Sequence, residues 1–225
     1  MRKTAALAWS GGKDCALALH RLREDGEYKV VSLLTTVTSG YDRVSMHGVR
    51  SLLLEQQANS LGIRLLKVMI PKRCTNEEYE ERMQDAIGNL RAKGVEAIAF
   101  GDLFLADIRR YREKRLSNSG MHGLFPLWKL DTAKLARKFI YLEFKAMVTC
   151  VDTEALNKSF AGREFDLDFL SALPSSVDPC GENGEFHTFV YDGPMFQRRI
   201  DFDVGRIVLR EHRFCFCDLV PREAT

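Results

Sequence analysis

Six consecutive residues near the start of the chain carry its densest chemistry: Ser10, Gly11, Gly12, Lys13, Asp14 and Cys15. An apolar run over residues 5–9 stops at them. A run with Leu17, Leu19 and Leu22 at near-helical spacing follows. A glycine-rich turn between a strand and a helix is a ready anion site, because the first amides of a helix lack intrahelical partners and its dipole favours negative charge. Glycines let the backbone approach a phosphate closely, and Lys13 adds a point charge. Asp14 would repel phosphate, so it makes sense there if it holds Mg²⁺ or orients the loop. This is not a Walker loop: Leu7 stands where that loop needs glycine, and Asp14 where it needs Ser or Thr. It is not a dinucleotide GxGxxG fingerprint either. A plain strand-to-helix turn with a charged cap competes well against Gly-Gly alone and poorly against all of Ser-Gly-Gly-Lys-Asp.

A second cluster is Glu182, Glu185, His187 and Thr188. On a strand, Glu185, His187, Phe189 and Tyr191 would share one face, with Phe186, Thr188 and Val190 on the other and Glu182 in the turn ahead. Two carboxylates near a histidine could bind an ammonium ion, accept its proton or hold a metal; an edge strand with exposed charges is an equal competitor. His47 could contact a nucleotide or substrate, although spacing alone favours a solvent-facing histidine before a helix. Gly101 and Asp102 follow an apolar run, and Asp102 is either a helix cap or a group that fixes nucleotide or Mg²⁺. The next helix carries Arg109, Arg112 and Arg115 at helical spacing. A solvated face, aided by Asp107 before Arg110, is the preferred reading, and a basic wall for phosphate is the alternative. Cys215 and Cys217, with His212 nearby, offer too few ligands at metal spacing and read as packing.

These groups need elements to position them. Apolar runs at 5–9, 29–36, 64–70 and 95–100 read as strands, each joined to a helical pattern: 14–24 closed by Gly26, 51–61 stopped by Gly62, and a Thr75-capped helix ending at Gly94. Continuous apolar strands alternating with helices predict a parallel sheet covered on both faces. Right-handed crossovers make it doubly wound, with ligands beyond the carboxyl ends of the strands. After residue 125 the pattern changes: a helix over 132–144, a strand over 145–151, a turn-rich stretch over 174–184 and a closing hairpin over 206–220. The expected fold is therefore α/β, a doubly wound parallel sheet over 1–125 with a smaller C-terminal α/β lobe over 126–225.

Composition narrows the class. A chain of 225 residues, 45% hydrophobic and 28% charged, can bury a core without staples. A net charge of +2 argues against nucleic acid as partner. The apolar start is too short for a secretory signal, and no run approaches the about 18 apolar residues of a membrane span. Six scattered cysteines read as reduced thiols, and the expected setting is cytoplasmic, as monomer or homodimer.

The loop SGGKDC resembles the SGGxDS loop of the PP-loop (N-type) ATP pyrophosphatases, the adenine nucleotide alpha-hydrolase superfamily with a HUP/Rossmann-like fold. Further segments are similar to signatures of the diphthine–ammonia ligase family: RVSMHGVR (43–50), GDL (101–103), PLW (126–128) and GENGEFHTFVYDGPMF (181–196). They occur in order over nearly the whole chain, which lacks the extra domains of larger eukaryotic members and so resembles a short stand-alone form. The resemblance implies an ATP-dependent amide ligase that adenylates a carboxylate acceptor (diphthine on elongation factor 2 in that family), releases pyrophosphate and amidates the acceptor with ammonia. It implies that Ser10, Gly11, Gly12, Lys13, Asp14 and Cys15 hold pyrophosphate, with Mg²⁺ shared between the phosphates and Asp14. It places Leu34, Thr35 and Thr36 beside the adenine, turns His47 toward the ligand, sets Gly101 and Asp102 at the same crevice, and puts Glu182, Glu185 and His187 on the acceptor side. Serine usually stands at the position of Cys15, whose thiol is a weaker donor and which a helix N-terminus would tend to acidify. Two other readings are a PP-loop enzyme that thiolates tRNA and a nucleotide-binding module without turnover.

Overall fold

Buried apolar strands alternating with amphipathic helices give the first half a sheet with helices on both faces. The structure, a computed structural model, describes residues 2–44 and 47–222. Within the 43–50 segment, Ser45 and Met46 lie outside the described residues. Strand β1 (Lys3–Ala8) passes through the glycine turn into helix α1 (Lys13–Asp25), which ends at Gly26 in the left-handed conformation (φ 68°) that glycine takes without a Cβ penalty. Then come β2 (Tyr28–Thr38), β3 (Arg43–Val44), α2 (Ser51–Leu61), β4 (Arg64–Ile70), α3 (Asn76–Ala92), β5 (Ala97–Ala99), α4 (Ala106–Ser117) and β6 (His122–Leu124). Helix α3 starts in a capping box: Thr75 accepts from the Glu78 amide, and the Glu78 carboxylate accepts from the Thr75 amide.

β1 lies at the centre, parallel to β2 on one side and to β5 on the other. β2 continues to β4 and β5 to β6, again in parallel. The two-residue β3 pairs antiparallel with the end of β2, at Val37 and Thr38. Leu7 joins an apolar core with Leu17 and Leu19 of α1 and Leu53 and Leu54 of α2. Its neighbour Ala6 faces the other way, into a core with Ile87 and Leu90 of α3 and Leu116 of α4. The sheet is thus doubly wound and Rossmann-like. Its chain direction reverses about β1, which opens a crevice at the strands' carboxyl ends.

The second half adds α5 (Thr132–Tyr141), β7 (Lys145–Asp152), α6 (Leu167–Ala172), β8 (Phe186–Asp192), β9 (Phe202–Arg210) and β10 (Phe214–Pro221). Its strands form an antiparallel sheet in the order β8-β7-β10-β9. The core that holds Leu7 and Leu54 continues through Phe139, Phe165, Phe169 and Phe189 to Leu219, so one apolar cluster joins the two sheets. Cys215 and Cys217 are buried in it. No helix among the described residues is long and apolar enough to cross a membrane.

The closing hairpin stands where the sequence places it. The helix expected over 132–144 stops at Tyr141, because Glu143 takes a positive φ of 63° ahead of β7. β3, β6 and α6 are too short to leave a periodic signal.

Phe165 is 2% exposed, with the rings of Phe139, Phe169 and Phe186 at 5.6, 5.3 and 6.0 Å. Phe165→Ala should therefore lower stability by about 3–5 kcal/mol, read as a lower urea midpoint of the full chain.

Candidate active site

The carboxyl ends of β1, β2 and β5 open into a cavity of about 610 Å³. Ser10, Gly12, Lys13, Asp14 and Cys15 line it after β1; Leu34, Thr35 and Thr36 line it from β2; Gly101 and Asp102 follow β5. His47, Glu182 and His187 complete the wall. Of the residues that the resemblance assigns to the site, Gly11 and Glu185 do not line it. Gly11 is buried beneath the loop at φ 82°, where a Cβ would stand 2.9 Å from Gln57 Oε1. Glu185 is buried just before β8. It accepts from the amides of Asp178 and Asn183 and from Asn183 Nδ2, so it ties the 178–185 turn together.

Strand β8 holds the loop in place. The Val190 amide donates to Gly11 O at 2.8 Å. The Lys13 amide, one of the unpaired donors at the start of α1, donates to Thr188 Oγ1 at 3.1 Å. Gln57, fully buried on α2, completes the brace: its Nε2 donates to Gly11 O at 3.0 Å and Val190 O at 2.5 Å, and its Oε1 accepts from Trp9 Nε1 at 2.8 Å. Gly101 approaches the start of α1 so closely that a Cβ there would stand 2.9 Å from the Asp14 carbonyl carbon.

The sequence assigns Lys13 to phosphate as a point charge; in the structure Lys13 lines the cavity with its charge already paired. Lys13 is 2% exposed, and its ammonium donates to both Asp14 carboxylate oxygens, at 3.1 and 2.9 Å, and to Cys180 O. The rings of Phe186 and Phe165 lie 5.4 and 5.7 Å from it. Burial opposes its charge, but Asp14 and the groups around Cys180 and Glu182 outweigh burial and keep it protonated. Asp14 accordingly orients Lys13, while its partly exposed carboxylate still faces the cavity.

The Cys15 thiol donates to Gly12 O at 3.0 Å, and burial pushes its pKa up to about 11, with Ser10 acting in the opposite direction. The acidifying pull expected of the helix N-terminus is overridden, and the thiol stays protonated.

His47 and His187 meet ring to ring with centroids 4.4 Å apart. Burial lowers both pKa values. His187 falls to about 4 with the added influence of Lys13, and His47 falls well below 6.5 under His187 and Lys13. Both imidazoles are neutral at pH 7. His47 Nδ1 and Thr35 Oγ1 line the cavity as buried polar atoms without a protein partner, which suits a polar ligand.

Glu182 accepts from the amides of Leu103 at 2.8 Å and Phe104 at 3.4 Å. Burial nevertheless pushes its pKa up to about 7, aided by Asp14 and Asp102. Asp102 pairs with Arg112 at 2.8 Å. Arg112 and Arg115 line the cavity, Arg115 paired with Glu80, whereas Arg110 pairs with exposed Asp107. The sequence preference for a solvated face fails for Arg112 and Arg115. Sequence reasoning also missed Gln57, which carries no local signal, and the apolar lining by Tyr79, Met83, Ile87 and Phe100.

Gln57→Leu leaves the Trp9 indole N–H and the Val190 carbonyl without their side-chain partner. It should lower stability by about 2–4 kcal/mol, measured by urea unfolding; a loss under half that would place the brace elsewhere. Glu182→Gln keeps an acceptor for the Leu103 amide but removes the titration. The wild-type carboxyl holds its proton more tightly folded than unfolded. Its stabilising contribution is therefore full below 4.5 and fades as pH rises through about 7. Glu182→Gln should gain thermal stability relative to wild type across that window, and a pH-independent offset between the two melting curves would contradict the shift.

Two family models match the chain: diphthamide synthase N-terminal domain over residues 2–123 and diphthamide synthase C-terminal domain over residues 131–219. Among curated proteins it is similar to diphthine–ammonia ligase of Homo sapiens, 28% identical over 144 residues, which are 61% of this chain and 53% of that protein. The protein of the same name from Rattus norvegicus is 25% identical over 232 residues, 92% of this chain and 85% of that protein. That from Danio rerio is 31% identical over 122 residues, 51% of this chain and 47% of that protein. The matched region thus spans about half the length of the human and zebrafish relatives and most of the rat one. The loop after β1 and the Glu182–His187 segment sit within the two matched regions, and the chain belongs to the diphthamide synthase family.

Proposed function

We propose that this protein is an ATP-dependent amide ligase that adenylates a carboxylate, releases pyrophosphate and amidates the acyl group with ammonia, with diphthine as the acceptor class. One observation carries the reading: a single cavity joins the 10–15 loop to the 181–188 segment, although the bond between Lys13 and Thr188 spans 175 positions in sequence. Residues 1–125 supply the nucleotide side and residues 126–225 the acceptor side.

In this reading the amides and hydroxyl of the loop, backed by Arg112 and Arg115, receive the phosphates of ATP. Leu34, Thr35 and Thr36 border the base. The acceptor carboxylate attacks the α-phosphorus, forming an acyl-adenylate and freeing pyrophosphate. Ammonia attacks the acyl carbon next, and AMP leaves. Glu182, with a pKa near 7 and so available in both protonation states at neutral pH, takes the proton that ammonium must lose. His47 and His187, held neutral, accept N–H bonds rather than repel the cation. Mg²⁺ would neutralise phosphate charge. The residues present fit it modestly: Asp14 offers a partly exposed carboxylate, and no group of three metal-ligating side chains exists among the described residues. Phosphate oxygens would supply most of its ligands.

Purified protein given ATP, Mg²⁺, ammonium and elongation factor 2 bearing diphthine should release AMP and pyrophosphate in step with amide formation. Failure to form either product with this acceptor would sink the reading. Cys15→Ser should keep turnover within about threefold of wild type, because a protonated, buried thiol is no nucleophile. A dead serine variant would give the sulfur its own role and favour a thiolation reaction.

A further inference from the structure

Near His47, Val44 and Val49 are buried in the apolar core. The flanking Arg43 and Arg50 are also gripped by β10. Asp218 on β10 accepts from Arg43 Nη1 at 2.8 Å, from Arg50 Nε at 3.1 Å and from Arg50 Nη2 at 2.6 Å. Arg43 Nη1 also donates to Gly48 O at 2.6 Å. Arg43 and Arg50 bracket the segment, and an isolated antiparallel bridge joins them. Phe216, two residues before Asp218 and so on the same side of β10, presses on Gly48, where a Cβ would stand 2.6 Å from the ring at a φ of 67°.

The hairpin is shaped for this grip. The β9–β10 ladder slips between Cys217 and Leu219, so Gly205 and Arg206 of β9 stand opposite the single residue Asp218. A bulge of this kind bends a hairpin and re-aims its side chains. At Gly205 a Cβ would stand 3.1 Å from Asp218 O. Burial alone would raise the Asp218 carboxyl; hydrogen bonds from Arg50 and Arg43 reverse that and hold it at about 2. The carboxylate is therefore charged at neutral pH, and the grip does not titrate there.

We propose that Asp218 is a positioning residue: through Arg43 and Arg50, which flank His47 in sequence, it seats His47 against His187. This deepens the ligase reading, since it assigns the C-terminal hairpin control over the acceptor end of the site. The groups facing the two rings there are Lys13 and the rings themselves.

The test reads the imidazoles directly and needs neither nucleotide nor acceptor, so it can fail while the ligase reading stands, and the reverse. The full chain, labelled with ¹⁵N-histidine, is titrated by long-range ¹H–¹⁵N spectra as wild type, Asp218→Asn, Asp218→Glu and Arg50→Gln. In Asp218→Asn the segment loses its charged anchor, water reaches the ring pair, and His187 should titrate well above about 4, toward 6.5. Asp218→Glu, which keeps the charge, should return His187 part of the way. Arg50→Gln, which leaves Arg43 on Asp218, should give a smaller shift in the same direction and serves if Asp218→Asn does not fold. If His47 and His187 titrate as in wild type in the folded variants, the proposal is overturned, even where melting temperatures fall, because the grip would then be structural only.

Discussion

The site depends on a hydrogen-bonded seam between a turn and a strand. The backbone at Gly11 and Lys13 is fixed by Val190 and Thr188 of β8, with Gln57 beneath. A loop of glycines has little conformational preference of its own. Its shape here is imposed by a strand of the second sheet, and that strand in turn presents His187 to the same cavity. The two walls of the cavity are therefore set by one set of bonds, and displacement of one displaces the other. The shared apolar core beneath them makes this coupling rigid.

The charges of the cavity are arranged to be quiet until a ligand arrives. Lys13 is neutralised by Asp14, and Asp102 by Arg112. The two histidines are uncharged, and Glu182 sits near its midpoint at neutral pH. Arg115, on the same wall as Arg112, is likewise paired, with Glu80. The titratable groups of the cavity are thus already largely dehydrated, which is what moves their pKa values.

Much of this was legible in the sequence because it is local. Apolar runs and glycine stops mark the strands and helices of the first sheet, and Ser-Gly-Gly-Lys-Asp declares its own turn. What the sequence conceals is set by distant pairing. Nothing around Lys13 in the sequence shows that Cys180 is brought to its ammonium across the fold. Glu185 reads as an active carboxylate until its three partners in the 178–185 turn consume it. Arg112 and Arg115 obey the spacing of a solvated helix face and are covered only when α3 and β5 pack beside them. Gln57 and Asp218 sit in ordinary helix and strand patterns, and nothing near them in sequence announces a bracing role.

The long span of the bond between Lys13 and Thr188 also has a consequence for how the protein is made. The strand that fixes the loop is synthesised 175 positions after it. Closing so wide a loop carries an entropy cost that only the finished second sheet can offset. A nascent chain thus holds an unfixed glycine turn until that strand emerges, and the two walls of the cavity take shape together.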